Sequence, residues 1–159
     1  MSPQTASEFY SGEVKNKQDL FSLYQRFLSQ LSKKELILLQ GPVGVGKTES
    51  LKMWSQILGL RQVASPSFAI HHCYSNDQGL QIDHVDLYRT ETEDDIDSTG
   101  FWDLFSADSG WVVVEWPERI SQQHWPLSWS RWLVQMDFAN APDSRSIKII
   151  KQNSQATVE

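Results

Sequence analysis

Two apolar runs, Leu36-Ile37-Leu38-Leu39 and Trp111-Val112-Val113-Val114, carry no polar residue at alternate positions and read as strands buried on both faces of a sheet. Leu20, Leu23, Tyr24, Phe27, Leu28 and Leu31 instead recur at helical spacing. They predict a helix that Asn16 or Asp19 caps and that runs through about Ser32, with Lys33 and Lys34 suited to its C-terminal end. A second helix-period segment, Glu49 to Leu60, aligns Leu51, Trp54, Ile57 and Leu58. Phe68 to Tyr74 and Leu80 to Asp86 read as a hairpin around the turn-rich Ser75-Asn76-Asp77-Gln78-Gly79. Thr90 to Phe105 opens acidic and predicts one or two short helices broken near Gly100. Trp132 to Phe138 and Ser146 to Ile150 predict a last pair of strands around Asn140-Ala141-Pro142-Asp143.

Between the first strand and the second helix stands Gly41-Pro42-Val43-Gly44-Val45-Gly46-Lys47-Thr48, a complete G-x-x-x-x-G-K-[ST] phosphate loop. Average residue usage produces this pattern by accident in roughly one chain in two hundred of this length. Its strand-loop-helix context makes accident rarer still. Gly41, Gly44 and Gly46 let the backbone wrap closely, so that N-H groups from Gly41, Val43, Gly44, Val45 and Gly46 face phosphate oxygens at a helix N-terminus. Lys47 adds a point charge for the β and γ phosphates, and the Thr48 hydroxyl is placed for Mg²⁺. Glu49 disturbs the pattern, because its carboxylate repels phosphate unless it points outward. Motif and element order together predict one α/β domain over residues 1–151, a three-layer fold of the P-loop NTPase type. Its sheet is mixed, with a parallel core and antiparallel hairpins, and residues 152–159 form a polar tail.

Composition narrows the setting. With 159 residues, 40% of them hydrophobic, the chain builds one core, and its net charge of -6 lacks the basic footprint of a protein that grips nucleic acid by itself. Any nucleic acid is therefore held mainly through a partner. The single Cys73 forms no internal disulfide, no basic leader precedes an apolar core, and no run approaches the ~20 apolar residues of a membrane span. These features predict a cytoplasmic protein with no membrane contact. Six of seven tryptophans, Trp102, Trp111, Trp116, Trp125, Trp129 and Trp132, fall in the second half and read mostly as packing, with part of that surface open to docking.

A phosphate loop needs a second carboxylate at the end of another strand. Asp86 ends Ile82-Asp83-His84-Val85-Asp86, with Asp83 a competitor, and Glu115 ends the second apolar run; both positions lie where ligands bind in open α/β sheets. Arg89 and Arg119 follow these acids and read either as charge stabilisers or as surface ion pairs. Ser65-Pro66-Ser67-Phe68 occupies the place of a switch segment, or of an ordinary proline turn.

Together, the loop, Ser65-Pro66-Ser67-Phe68, His84-Val85-Asp86-Leu87-Tyr88-Arg89 and Val114-Glu115-Trp116-Pro117-Glu118-Arg119 resemble the TsaE (YjeE) family, ATPases of the tRNA threonylcarbamoyladenosine pathway. The resemblance spans roughly Leu36 to Arg119. It implies ATP and Mg²⁺ as cofactors, with Lys47 on the phosphates, Thr48 and Glu115 at the metal, Asp86 supporting metal or water, Ser67 in a switch and Trp116 beside the site. Lys47, Asp86 and Glu115 are then the catalytic set. It further implies action with TsaD and TsaB proteins, which transfer threonylcarbamoyl to adenosine 37 of tRNAs reading ANN codons, with ATP hydrolysis supporting turnover. Two positions depart from the family: Ser67 stands where Thr is usual, and Glu49 where a small hydroxyl residue is usual.

Other readings have less support. A small-molecule kinase needs an arginine-bearing lid that the chain lacks, and a GTPase needs an Asn-Lys-x-Asp segment that is absent. A nucleotide-dependent binding module without useful hydrolysis is kept open by Glu49. A zinc site of His71, His72 and Cys73 with His84 is not expected, because His71 and His72 point to opposite faces of a strand and no Cys-x-x-Cys pair supports them, and no Gly-x-Ser-x-Gly elbow supports serine hydrolysis.

Overall fold

The computed structural model describes residues 6–64 and 71–152. They form one eight-stranded sheet in the order β1-β8-β7-β2-β6-β5-β4-β3, with strands β1 (Ala6–Val14), β2 (Lys34–Gln40), β3 (Arg61–Ala64), β4 (His71–Ser75), β5 (Gln81–Asp86), β6 (Gly110–Glu115), β7 (Ser130–Phe138) and β8 (Arg145–Gln152). The four central strands β7, β2, β6 and β5 are parallel. Antiparallel pairs flank them, β8 and β1 on one side, β4 and β3 on the other. This is the mixed sheet that the apolar runs and hairpins predict. The two continuous runs, in β2 and β6, take central places because only there are both faces covered.

Strand alternation divides the core in two. Ile37, Leu39, Ile82, Trp111 and Val113 pack under α1 (Lys17–Leu28) and α2 (Lys47–Leu58), whereas Leu36, Leu38, Val85, Val112 and Val114 pack against α3 (Glu93–Asp97) and the 3₁₀ segment Phe101–Ser106. Helix α1 is capped by Asn16, whose side chain accepts from the Asp19 amide at 2.8 Å. It stops at Leu28, short of Ser32, where the Ser29 hydroxyl bonds the Arg26 carbonyl at 2.7 Å. Helix α2 runs from Lys47 to Leu58 and is capped by Gly59, whose φ of 65° gives the left-handed cap that glycine adopts without strain. The tyrosine of the α1 stripe ties the helices together: Tyr24 Oη and Ser50 Oγ lie 2.6 Å apart, both buried.

Two strands carry no signal in the hydrophobic pattern. β1 is exposed over most of its length and holds its place through the ladder to β8, while β3 is a four-residue edge strand paired to β4. Backbone bonding, which any side chains permit, decides both. The ladder also takes in Gln152, one residue beyond the expected domain end, and residues 153–159 lie outside the described residues. Five tryptophans, Trp54, Trp111, Trp125, Trp129 and Trp132, are buried, which leaves Trp102 and Trp116 as the half-buried indoles.

Glu35 at the start of β2 is buried, and its carboxylate accepts from Trp132 Nε1 at 2.8 Å and Ser32 Oγ at 3.3 Å. Trp132→Phe removes a donor from a buried charge and is expected to lower stability by about 1–3 kcal/mol, read as a shift in the chemical denaturation midpoint. An unchanged midpoint excludes a structural role for this bond.

Candidate functional site

Parallel strands that start level also end level. Leu39 pairs with Glu115 across β2 and β6, and Glu115 pairs with Asp86 across β6 and β5, so the phosphate loop and both acids leave the sheet at one edge. At the loop's entrance, a Cβ on Gly41 would lie 2.5 Å from the Met136 carbonyl oxygen, so only glycine fits there. Gly44 (φ 80°) and Gly46 (φ 120°) then take backbone conformations that other residues avoid, and α2 begins. Val45 is buried beneath the loop and Val43 is exposed at its tip.

Lys47 is buried, and its Nζ donates to the Gly41 carbonyl while lying 3.8 Å from the centroid of the Trp116 ring. Burial holds the ammonium below the ordinary lysine range, and the charges of Glu115, Glu118 and Asp86 oppose that effect. Trp116 has a φ of 62°, the sole left-handed non-glycine among the described residues, a conformation that costs of order 1–3 kcal/mol. This turn lays the indole over Lys47 and against Tyr88, whose ring centroid is 5.0 Å away.

Glu115 is buried at the strand end. Its Oε1 faces Thr48 Oγ1 at 3.4 Å and its Oε2 faces His84 Nε2 at 2.7 Å, so both oxygens are oriented by side chains from other elements. Asp86 sits half-buried beside it and accepts from the Tyr88 amide at 2.9 Å. A cleft of about 490 Å³ joins Thr48, His84, Asp86 and Glu115 to His72, Tyr74, Tyr88 and Arg89. Asp83 lies on the other face of β5 and takes no part, as alternation requires. A second hollow of about 210 Å³ borders the loop at Gly44 to Gly46, where Val14, Leu20 and Met53 are joined by the polar Asn16, Lys17, Glu49, Asp143 and Arg145.

Glu49 turns outward. Its carboxylate is more than half exposed and pairs with Lys52 at 3.1 Å, an i,i+3 contact along α2. Arg119 donates to the Tyr88 carbonyl at 3.3 Å and Arg89 lines the cleft; neither joins an ion pair among the described residues. Ser67, with Ser65, Pro66 and Phe68, lies outside the described residues. Three contributors escape a linear reading. His72 and Tyr74 enter the cleft through hairpin register and alternation, signals that an exact pairing of β4 with β5 supplies. Arg145 donates from its Nε to the Val45 carbonyl at 2.8 Å and straps the loop to β8 from 100 residues away, with no local pattern to announce it.

Thr48, Asp86 and Glu115 offer the hard oxygen donors that suit Mg²⁺, and the 3.4 Å between Thr48 Oγ1 and Glu115 Oε1 brings two of them together.

A family model described as "Threonylcarbamoyl adenosine biosynthesis protein TsaE" matches residues 14–147. The tRNA threonylcarbamoyladenosine biosynthesis protein TsaE of Aquifex aeolicus is 32% identical over 109 residues, which cover 67% of this chain and 75% of that protein. The protein of the same name from Haemophilus influenzae is 31% identical over 120 residues, covering 75% and 72%. That from Bacillus subtilis is 37% identical over 90 residues, covering 56% and 54%. The crystal structure of Bacillus subtilis YdiB shares the fold, with a TM-score of 0.69 over 94% of this chain and 88% of that chain at 22% identity.

Because His84 holds one oxygen of a buried carboxylate, His84→Ala is expected to destabilise the chain by about 1–3 kcal/mol, measured by denaturant titration. Equal stability of the variant disproves the bond's structural weight.

Proposed function

Since the chain belongs to the TsaE family and thereby to tRNA threonylcarbamoyladenosine biosynthesis, we propose that it serves that pathway as a slow Mg²⁺-dependent ATPase whose hydrolysis is coupled to partner proteins. The observation that carries this reading is the convergence of Lys47, Thr48, Asp86 and Glu115 at one sheet edge beneath the Gly41 to Thr48 loop.

Each residue has a physical task in it. Loop amides and the α2 N-terminus bind the phosphates, and Lys47 exchanges its Gly41 carbonyl for phosphate oxygen. Thr48, Asp86 and Glu115 hold Mg²⁺, which when bound neutralises charge on the β and γ phosphates. The hydrogen bond from His84 keeps Glu115 aimed at Thr48, and Trp116 with Tyr88 covers the phosphate end and excludes water. The hollow beside Val14, Leu20 and Met53, with Asn16 and Arg145 among its polar lining, suits a base. Glu49 pairs with Lys52, which offsets part of its charge, but it also lines the hollow proposed for the base, so its carboxylate remains an objection to tight nucleotide binding.

The acidic chain, net charge -6, suits an accessory that leaves tRNA to others. TsaD- and TsaB-like proteins are the proposed partners, in the cytoplasm, with Ser67 reporting the nucleotide state. Residues 1–151 act as one domain in this reading. No helix among the described residues is long and apolar enough to cross a membrane.

Phosphate release from Mg-ATP by the purified chain tests the proposal. Slow turnover is expected, and both Lys47→Ala and Glu115→Ala should reduce it at least ~100-fold, the scale of losing one charge-stabilising group. Turnover equal to the parent chain in both variants rejects this site. Nucleotide-dependent capture of threonylcarbamoyl-transfer proteins from extract should accompany it, and capture of unrelated metabolic enzymes alone rejects the coupling.

A further inference from the structure

On the opposite face of the sheet from the cleft, three metal-binding side chains meet. His71 and Cys73 are two residues apart on β4 and therefore share a face, and Asp83 stands directly opposite Cys73 on β5. His71 Nε2 lies 2.9 Å from Asp83 Oδ1, Cys73 Sγ lies 3.1 Å from the same oxygen, and Cys73 Sγ lies 3.5 Å from His71 Nε2. We propose that His71 Nε2, Cys73 Sγ and Asp83 Oδ1 form a zinc site, separate from the cleft beside the phosphate loop.

Geometry is the first argument. Bonds of about 2.0–2.3 Å to nitrogen, oxygen and sulfur at tetrahedral angles put donor atoms about 3.3–3.7 Å apart. The triangle here has edges of 2.9, 3.1 and 3.5 Å, so zinc entry needs an expansion of a few tenths of an ångström, within the range of side-chain rotation. The obstacle of adjacent His71 and His72 disappears, because the remaining donor comes from the neighbouring strand and not from His72.

Donor chemistry is the second. A thiol and an imidazole select a borderline ion such as zinc over Mg²⁺, which prefers oxygen alone. Zinc binding gives up one proton: the Cys73 S-H bond breaks, its electron pair goes to the metal and the proton to solvent. Thiolate and carboxylate then balance the ion's two charges. Gln81 Nε2 donates to Asp83 Oδ2 at 3.4 Å and so steers Oδ1 toward the other donors, the outer support that metal ligands commonly receive. His71 is buried while Cys73 and Asp83 are partly exposed, and a water would complete the four-coordination of the ion.

The test is a titration of the full reduced chain with Co²⁺, whose thiolate complexes absorb by sulfur-to-metal charge transfer. Cys73 is the sole cysteine in the sequence, so the band reports this site and no other. The band should saturate at one equivalent and vanish on addition of Zn²⁺, and Asp83→Asn, at a solvent-bordering position, should weaken binding at least tenfold. Absence of the band in tenfold excess Co²⁺ overturns the proposal. Equal affinity in Asp83→Asn also overturns it, since a lone thiolate then binds the metal, and so does a Zn²⁺ affinity unchanged in Cys73→Ser.

Discussion

The parallel registration of β2 with β6 and β6 with β5 is the constraint from which the site follows. Leu39, Glu115 and Asp86 stand at one level, so the chain can leave β2 as a phosphate loop only where two carboxylates already project. A slip of one residue in β6 would turn Glu115 to the far face and bring Val114 under the loop. The register is protected by burial: Leu36 to Leu39 and Trp111 to Val114 are covered on both faces, and a slip would exchange every contact in both core layers at once.

The charges at this edge are held by unlike means. Glu115 is gripped from both oxygens by Thr48 and His84, each on a different element, which fixes its direction before any ligand arrives. Lys47 is held by a backbone carbonyl and an aromatic face, partners that bind an ammonium without neutralising it. A cation so placed is ready for exchange, whereas a lysine locked to Glu115 would have to break an ion pair in a low-dielectric site. The left-handed backbone at Trp116 belongs to the same arrangement, since that turn carries the indole back over the loop.

Alternation along single strands gives this small sheet two chemically different faces. On β5, His84 and Asp86 serve the cleft while Asp83 joins His71 and Cys73 on the reverse. On β4, His72 and Tyr74 enter the cleft while His71 and Cys73 leave it. Residues adjacent in sequence therefore belong to sites separated by the thickness of the sheet, and a cluster read from spacing alone groups the wrong partners.

Local patterns determined a good deal here. Continuous apolar runs marked β2 and β6, helical spacing marked α1 and α2, and the motif from Gly41 to Thr48 with acids at two strand ends marked the residues proposed to bind phosphate and metal, because each of these depends on neighbours within a few residues. Strands β1 and β3 stayed hidden since backbone ladders hold them and their side chains follow no period. Only the assembled sheet decided that Asp86 and not Asp83 faces the loop, that His84 orients Glu115, that Glu49 turns to Lys52, and that Arg145 straps Val45. These outcomes rest on strand register, on which face each strand presents and on contacts up to 100 residues apart, distances over which a linear pattern carries no information.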